Sequence, residues 1–262
     1  MSEERANGAL LEARGVTVRF GGVTANDAVD VSIAEGELVG VIGPNGEGKT
    51  TFIDAITGFV PSTGEVRLGD TDLSSLPAVA RARAGLIRTW QSVELFDDLD
   101  VVDNLAVADR RPRRFDVLRG LVGLGRNRDR ERIGAVLDRV GLADTADLFP
   151  DQLSHGQRKL VGVARALITD PAVLCLDEPA AGLDEQESAA LGHRLRALVE
   201  AGSTMLLVDH DMRLVLGVCD RIYVMDTGRV IAAGTPGEIR NDSAVLAAYL
   251  GDGRADETGD AP

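Results

Sequence analysis

Two rhythms of apolar residues alternate along the chain. The runs GVTVRF (15–20), VDVSIAEG (29–36) and ELVGVIG (37–43) predict strands, the third buried on both faces and feeding a glycine-rich loop and a helix that starts near Lys49. STGEVRLGDTDL (62–73) predicts a hairpin-like segment with glycine turns, and GLIRTWQ (85–91) a further strand. A helix-rich stretch then runs to about residue 160, in which DRERIGAVLDRVGL (129–142) puts Ile133, Val136, Leu137 and Val140 on one helical face. Strand and helix alternate again through AVLCLDEP (172–179), a helix carrying Leu191, Leu195 and Leu198, and TMLLVDH (204–210). Such alternation implies parallel strands with right-handed crossovers, an α/β class. DGRADETGDAP (252–262) is acidic, lacks apolar anchors and is expected to be disordered.

Composition sharpens this picture. Aromatics are only 3% of the 262 residues, so the core has to be built from Val, Leu, Ile and Ala, as suits a parallel sheet covered by helices. A net charge of -14 argues against a surface made to hold nucleic acid or anionic lipid. The one dense basic run is RRPRRF (110–115). Cys175 and Cys219 sit in apolar surroundings without paired spacings and read as buried free thiols of a reducing cytosol. The polar start has no apolar signal region, and no uninterrupted apolar stretch reaches a membrane-spanning length of about 18 residues.

The candidate chemistry begins at GPNGEGKTT (43–51). Gly43, Gly48, Lys49 and Thr50 meet the spacing of a phosphate-binding loop. Its glycines let successive backbone N–H groups turn inward, and the helix that follows adds its positive end. Lys49 would neutralise β- and γ-phosphate oxygens, and Thr50 would bind Mg²⁺ through its hydroxyl. Lys49 is one of only two lysines among 28 basic residues, so a compact point charge is placed there against a prevailing use of arginine. Downstream, Asp177 and Glu178 end an apolar strand. Asp177 suits Mg²⁺ and Glu178 suits the attacking water, the competing reading being helix capping after Pro179. His210 and Gln91 close two further strands, and open α/β sheets gather ligands at those ends.

With LSHGQRKLVGVARAL (153–167) preceding the Asp177 strand, the chain resembles the nucleotide-binding subunit of an ATP-binding-cassette (ABC) transporter from about Leu10 to Gly251. The resemblance implies a P-loop NTPase (RecA-like) core with a mostly parallel sheet, an antiparallel β subdomain at the N-terminus and an inserted α-helical subdomain. In that division residues 1–9 are a flexible start, 10–91 and 161–251 the nucleotide-binding core, 92–160 the helical subdomain with the signature motif, and 252–262 the tail. ATP and Mg²⁺ are the implied cofactors. Phe20 would stack on adenine, and Pro44, Asn45, Gly46, Glu47 and Thr51 would complete the nucleotide loop with the residues above. Gln91 would be the Q-loop residue and a metal contact with Thr50 and Asp177. Glu178 would be the catalytic carboxylate, Asp184 the D-loop residue and His210 the switch histidine, with Lys49 and Gln91 assisting catalysis. Ser154, His155, Gly156 and Gln157 would contact the ATP held by a second ATPase subunit, identical or a paralogue. Permease subunits would complete the assembly at the cytoplasmic side of the plasma (inner) membrane, with no nucleic acid bound and no direct contact with the solute.

A finer similarity, to importers of branched-chain and other hydrophobic amino acids, rests on RFGGVTANDAVD, RTWQSVELFDDLDVVDNL, LDEPAAGLDEQE, VDHDM and AYLG. Urea-type importers and lipid exporters share parts of these words. A soluble cassette ATPase of DNA repair or translation and a non-hydrolysing nucleotide sensor are the readings from other classes. Two positions depart from the family pattern. His155 replaces the first glycine of the signature pair, and Glu47 brings an acid into the cradle. A carboxylate about 6 Å from a phosphate charge at an effective dielectric near 20 would cost roughly 3 kcal/mol, about a hundredfold in affinity. Glu47 is therefore expected to turn outward, across a dimer seam to a cation or donor there, or else to impair the site.

Overall fold

The computed structural model describes residues 8–90, 94–109 and 126–252. Two sheets carry the fold. A four-stranded antiparallel sheet, in the order β2-β1-β4-β5, is formed by β1 (Ala9–Phe20), β2 (Val23–Ala34), β4 (Thr63–Leu68) and β5 (Thr71–Asp72). The second contains β3 (Leu38–Ile42), β6 (Leu86–Arg88), β7 (Val173–Asp177), β8 (Met205–Val208), β9 (Arg221–Asp226) and β10 (Arg229–Gly234) in the order β10-β9-β3-β8-β7-β6. It is parallel except for β10, an antiparallel edge. The parallel α/β core is the one the sequence pattern predicts, and the N-terminal antiparallel sheet is the one the family resemblance implies.

Period-two alternation decides where the strand residues go. Val39 and Val41 point into one core with Val16, Ile33 and the fully buried Phe52, Ile53 and Ile56 of α1 (Lys49–Thr57). Their neighbours Leu38 and Ile42 point into the other, against helices on the opposite face. Likewise Val173 and Cys175 join the first core, and Leu174 and Leu176 the second. Each fully buried aliphatic side chain contributes about 1.5–3 kcal/mol of transfer free energy, so this central sheet is the rigid base of the molecule.

The second core is roofed by α3 (Val101–Ala108), α4 (Arg126–Val140), α5 (His155–Leu167), α6 (Glu185–Glu200), α7 (Met212–Val218), α8 (Pro236–Asn241) and α9 (Ser243–Asp252). Short α2 (Ala78–Ala84) precedes β6. Ile133, Val136, Leu137 and Val140 are all buried on one side of α4, as their spacing predicts. Three boundaries differ from the sequence reading. β1 already starts at Ala9, α9 continues through Asp252, and α5 runs unbroken across residue 160, because its apolar face spans both the helical insert and the resumed α/β core. RRPRRF and residues 253–262 lie outside the described residues.

Candidate functional site

The carboxyl ends of β3, β8 and β7 are neighbours in the sheet, which brings three separate stretches of sequence to one edge. Gly43 follows β3, and a Cβ there would run into the Met225 carbonyl oxygen. Gly48 has φ 88°, and a Cβ would press on the Asn26 amide at 2.8 Å and on the Ala25 carbonyl. Glycine is required at both places because neighbouring backbone closes around the loop. Asn26 Nδ2 donates to the Gly48 carbonyl at 3.0 Å, fixing the loop to the β1–β2 hairpin. Gly48 is also the N-cap of α1, and no side chain caps it.

Lys49 is 4% exposed. Its Nζ donates to the carbonyl oxygens of Gly43 at 2.7 Å and Pro44 at 2.6 Å, so it spans the mouth of its own loop. Burial pushes its ammonium below the usual lysine range, opposed by the carboxylates of Glu178, Glu47, Asp209 and Asp177. Asn45, Gly46 and Thr50 are exposed along the cradle, while Thr51 is partly buried.

Glu47 has a partner within its own chain. Its Oε2 accepts a hydrogen bond from the backbone N–H of Thr227, in the β9–β10 turn. Thr227 has φ 45° and Gly228 φ 75°, a turn that aims this N–H at the loop. Its donor stands in the same chain, not across a subunit seam as expected. Parallel pairing of β9 beside β3 brings this turn next to the loop.

Asp177 and Glu178 divide as adjacent residues at a strand end should. Asp177 is buried and its Oδ2 receives Arg88 at 2.6 Å, while its Oδ1 has no partner. Glu178 has φ 44°, the left-handed region, and its N–H donates to the Val208 carbonyl at 2.7 Å. That strained turn presents its carboxylate to His210, whose Nδ1 lies 3.6 Å from Glu178 Oε2 and 3.6 Å from Asp209 Oδ1. Asp209 is fully buried and accepts from Ala180 N at 3.2 Å and Asp211 N at 3.0 Å. Burial raises its carboxyl above the usual range, offset by those hydrogen bonds.

The orphaned Asp177 Oδ1 and the exposed Thr50 hydroxyl suit a hard cation. Among the described residues no cluster of three His, Cys, Asp or Glu could hold a metal unaided. Such an ion would take its other ligands from phosphate and water.

Ser154 to Gln157, expected from the resemblance to form the signature, are arranged differently. Ser154 caps α5: its Oγ accepts from Gln157 N at 3.2 Å, and Gln157 Oε1 accepts from Ser154 N at 2.8 Å. Ser154 and His155 are exposed, and the His155 ring lies beside Gly182. Gly156 N donates to Glu187 Oε1 at 3.3 Å, while Glu187 N donates to Asp184 Oδ1 at 2.8 Å, the N-cap of α6. Glu187 thus ties Gly156 to Asp184 within one chain. Phe20 is 52% exposed at the β1–β2 end, a surface aromatic rather than a core one. Gln91 lies outside the described residues.

Sequence reasoning gave no role to Arg88, Asp209, Thr227 or Lys159. Lys159 on α5 is 6% exposed, with its ammonium lowered by burial against the fields of Asp209 and Glu178. Its rarity was the available signal, since it is the other of the chain's two lysines.

Known proteins share this fold and much of this sequence. Residues 26–181 match the family described as ABC transporter, and residues 229–255 match the one described as branched-chain amino acid ATP-binding cassette transporter. The chain is 39% identical to the high-affinity branched-chain amino acid transport ATP-binding protein LivG of Escherichia coli, covering 93% of this chain and 98% of LivG. It is 34% identical to the lipopolysaccharide export system ATP-binding protein LptB of Escherichia coli, again over 93% of this chain and 98% of the relative. Among solved structures, the ADP conformation of an ATP-binding cassette of an ABC transporter superposes with TM-score 0.80 at 29% identity, covering 93% of this chain and 99% of that one.

Proposed function

The chain belongs to the ABC transporter family, and from that premise we propose that it powers import of branched-chain or other hydrophobic amino acids through separate permease subunits. It is an ATP-binding and ATP-hydrolysing subunit that works with membrane permease partners. No helix among the described residues is long and apolar enough to cross a membrane. In our reading it attaches peripherally, through the permease, at the cytoplasmic face of the plasma (inner) membrane. Its docking surface would be the helical insert and the segment after Gln91.

In the proposed cycle Lys49 leaves the Gly43 and Pro44 carbonyls for the β- and γ-phosphate oxygens, exchanging two neutral acceptors for charged ones. The uncapped start of α1 adds backbone donors to the same oxygens. Thr50 and Asp177 would hold Mg²⁺, which when bound neutralises charge between the two terminal phosphates. Glu178, set by its left-handed backbone, orients or deprotonates the attacking water. His210 is within reach to steady that carboxylate. Phe20 would face adenine, and Ser154, His155, Gly156 and Gln157 of a second subunit, identical or paralogous, would close the site from the far side, with Asp184 at the seam. The exposure of Ser154 and His155 supports that reading.

One observation supports the amino-acid substrate class above the rest: likeness to LivG spans nearly the whole chain, and residues 229–255 match the branched-chain family separately. The latter favours amino-acid import over lipid export. Deleting the gene should abolish ATP-dependent uptake of radiolabelled leucine, isoleucine or valine, and a Lys49→Ala copy should fail to restore it. Undiminished uptake of all three, with loss of urea uptake or of lipid export instead, would refute the substrate class.

A further inference from the structure

A buried cation joins Asp177 to the protein surface. Arg88 ends β6 with a side chain 3% exposed. One terminal nitrogen donates to Asp177 Oδ2 at 2.6 Å and the other to Asp54 Oδ1 on α1. The guanidinium carbon lies 4.2 Å from the centroid of the Trp90 ring. Phe59, just past the end of α1, meets Trp90 edge-on with ring centroids 4.8 Å apart, and the guanidinium stands 5.9 Å from its ring. Phe59 is 52% exposed and Trp90 49%. Arg88 and Trp90 also line a cavity of about 350 Å³ that reaches α3 and α5.

The balance inside this cluster is incomplete in a directed way. Asp177 uses one oxygen on Arg88 and leaves the other buried and unmet, and Arg88 Nε is likewise without a partner. A cation engaging Oδ1 draws charge from the carboxylate and weakens its hold on Arg88. Asp54 and the face of the indole are then the remaining partners of the guanidinium, both already in contact. A lysine could neutralise Asp177 but could not bridge two carboxylates and stack on a ring at once.

We propose that Arg88 is a positioning residue for the metal-binding step, holding Asp177 until metal-nucleotide arrives and then registering its arrival at the exposed Phe59–Trp90 pair. This rests on the reading that Asp177 serves the metal. Trp90 is the only tryptophan in the chain, so its emission reports on this contact.

The test loads the full chain with the non-hydrolysable analogue AMP-PNP in EDTA and titrates Mg²⁺ while recording Trp90 emission. A saturable change is expected, with a midpoint matching the Mg²⁺ dependence of ATP turnover. Arg88→Lys should shrink that change severalfold. Asp54→Asn, a nearly isosteric change, leaves Asp177 as the guanidinium's sole carboxylate. It should raise the Mg²⁺ midpoint about threefold or more while AMP-PNP affinity in EDTA stays unchanged. An emission that ignores Mg²⁺ while turnover requires it, a full-sized change in folded Arg88→Lys, or an unmoved midpoint in Asp54→Asn each overturns the proposal. Should Arg88→Lys not fold, the wild-type titration and Asp54→Asn decide. Mg²⁺-dependent turnover that survives Asp177→Asn overturns the metal assignment itself, and this proposal with it.

Discussion

The helices that begin at Lys49 and His155 treat their first turns in opposite ways. At α1 the N-cap is Gly48, no side chain caps it, and the first residue is a buried lysine folded onto its own loop. At α5 a complete capping box of Ser154 and Gln157 satisfies the turn and leaves polar side chains on the surface. The lesson is a division of labour inside one chain. The α1 end leaves backbone donors and a cation unspent, as the proposed polyanion site requires, while the α5 end is finished as a fold and offers Ser154 and His155 outward. A single chain therefore carries one helix start left open and one fully capped.

Substitutions can break that contrast. Glu178→Gln, at the carboxylate proposed to serve the attacking water, should lower ATP turnover by about 10²–10⁴-fold while nucleotide binding persists. Turnover within tenfold of wild type in a phosphate-release assay would remove Glu178 from its role. Ser154→Ala should cut turnover by about tenfold or more with nucleotide affinity of the isolated chain unchanged, and should cost α5 about 1 kcal/mol in thermal unfolding. Equal losses of affinity and turnover would erase the distinction between the two helix ends.

Glu47→Ala sharpens the comparison from the loop side. Because the carboxylate is already engaged by Thr227 N–H, ATP affinity by calorimetry should change less than about threefold, and stability should fall by about 1 kcal/mol. A hundredfold gain in affinity would mean that the carboxylate opposes phosphate in solution. The smallest effect concerns Cys175, two residues before Asp177 in β7, whose thiol burial pushes from 9.0 up to about 12. The unfolded chain loses that proton first, so the thiol's contribution to stability is present below pH 9.0 and declines as pH rises toward about 12. Cys175→Ala should flatten the alkaline fall in melting temperature slightly, and iodoacetamide at pH 8 should not label Cys175 until denaturant is added.

Much of this was legible in the sequence because it is local. The spacing of Gly43, Gly48, Lys49 and Thr50 fixes a loop and a helix start, and the carboxylates after an apolar strand fix a sheet edge. Long-range partners of the site side chains were not legible, because they depend on strand order. Glu47 finds its donor 180 positions away, and only the placement of β9 beside β3 brings the two together. Arg88 was read as one strand residue among several, yet β6 pairs with β7, which puts its guanidinium on Asp177. Asp209 stands beside His210 in a stretch already singled out, but its burial follows from contacts with Ala180 and Asp211 made only after folding.

The scarcity of lysine gives the molecule an unusual chemical face. Both ε-amines, Lys49 and Lys159, are sequestered within the fields of Glu178 and Asp209, and every other basic side chain on the body is arginine or histidine. Amine-directed acylating dyes and enzymatic lysine acetylation therefore find almost no ε-amine to react with on the outer shell. Whatever modification they do achieve elsewhere reports on opening of the interior.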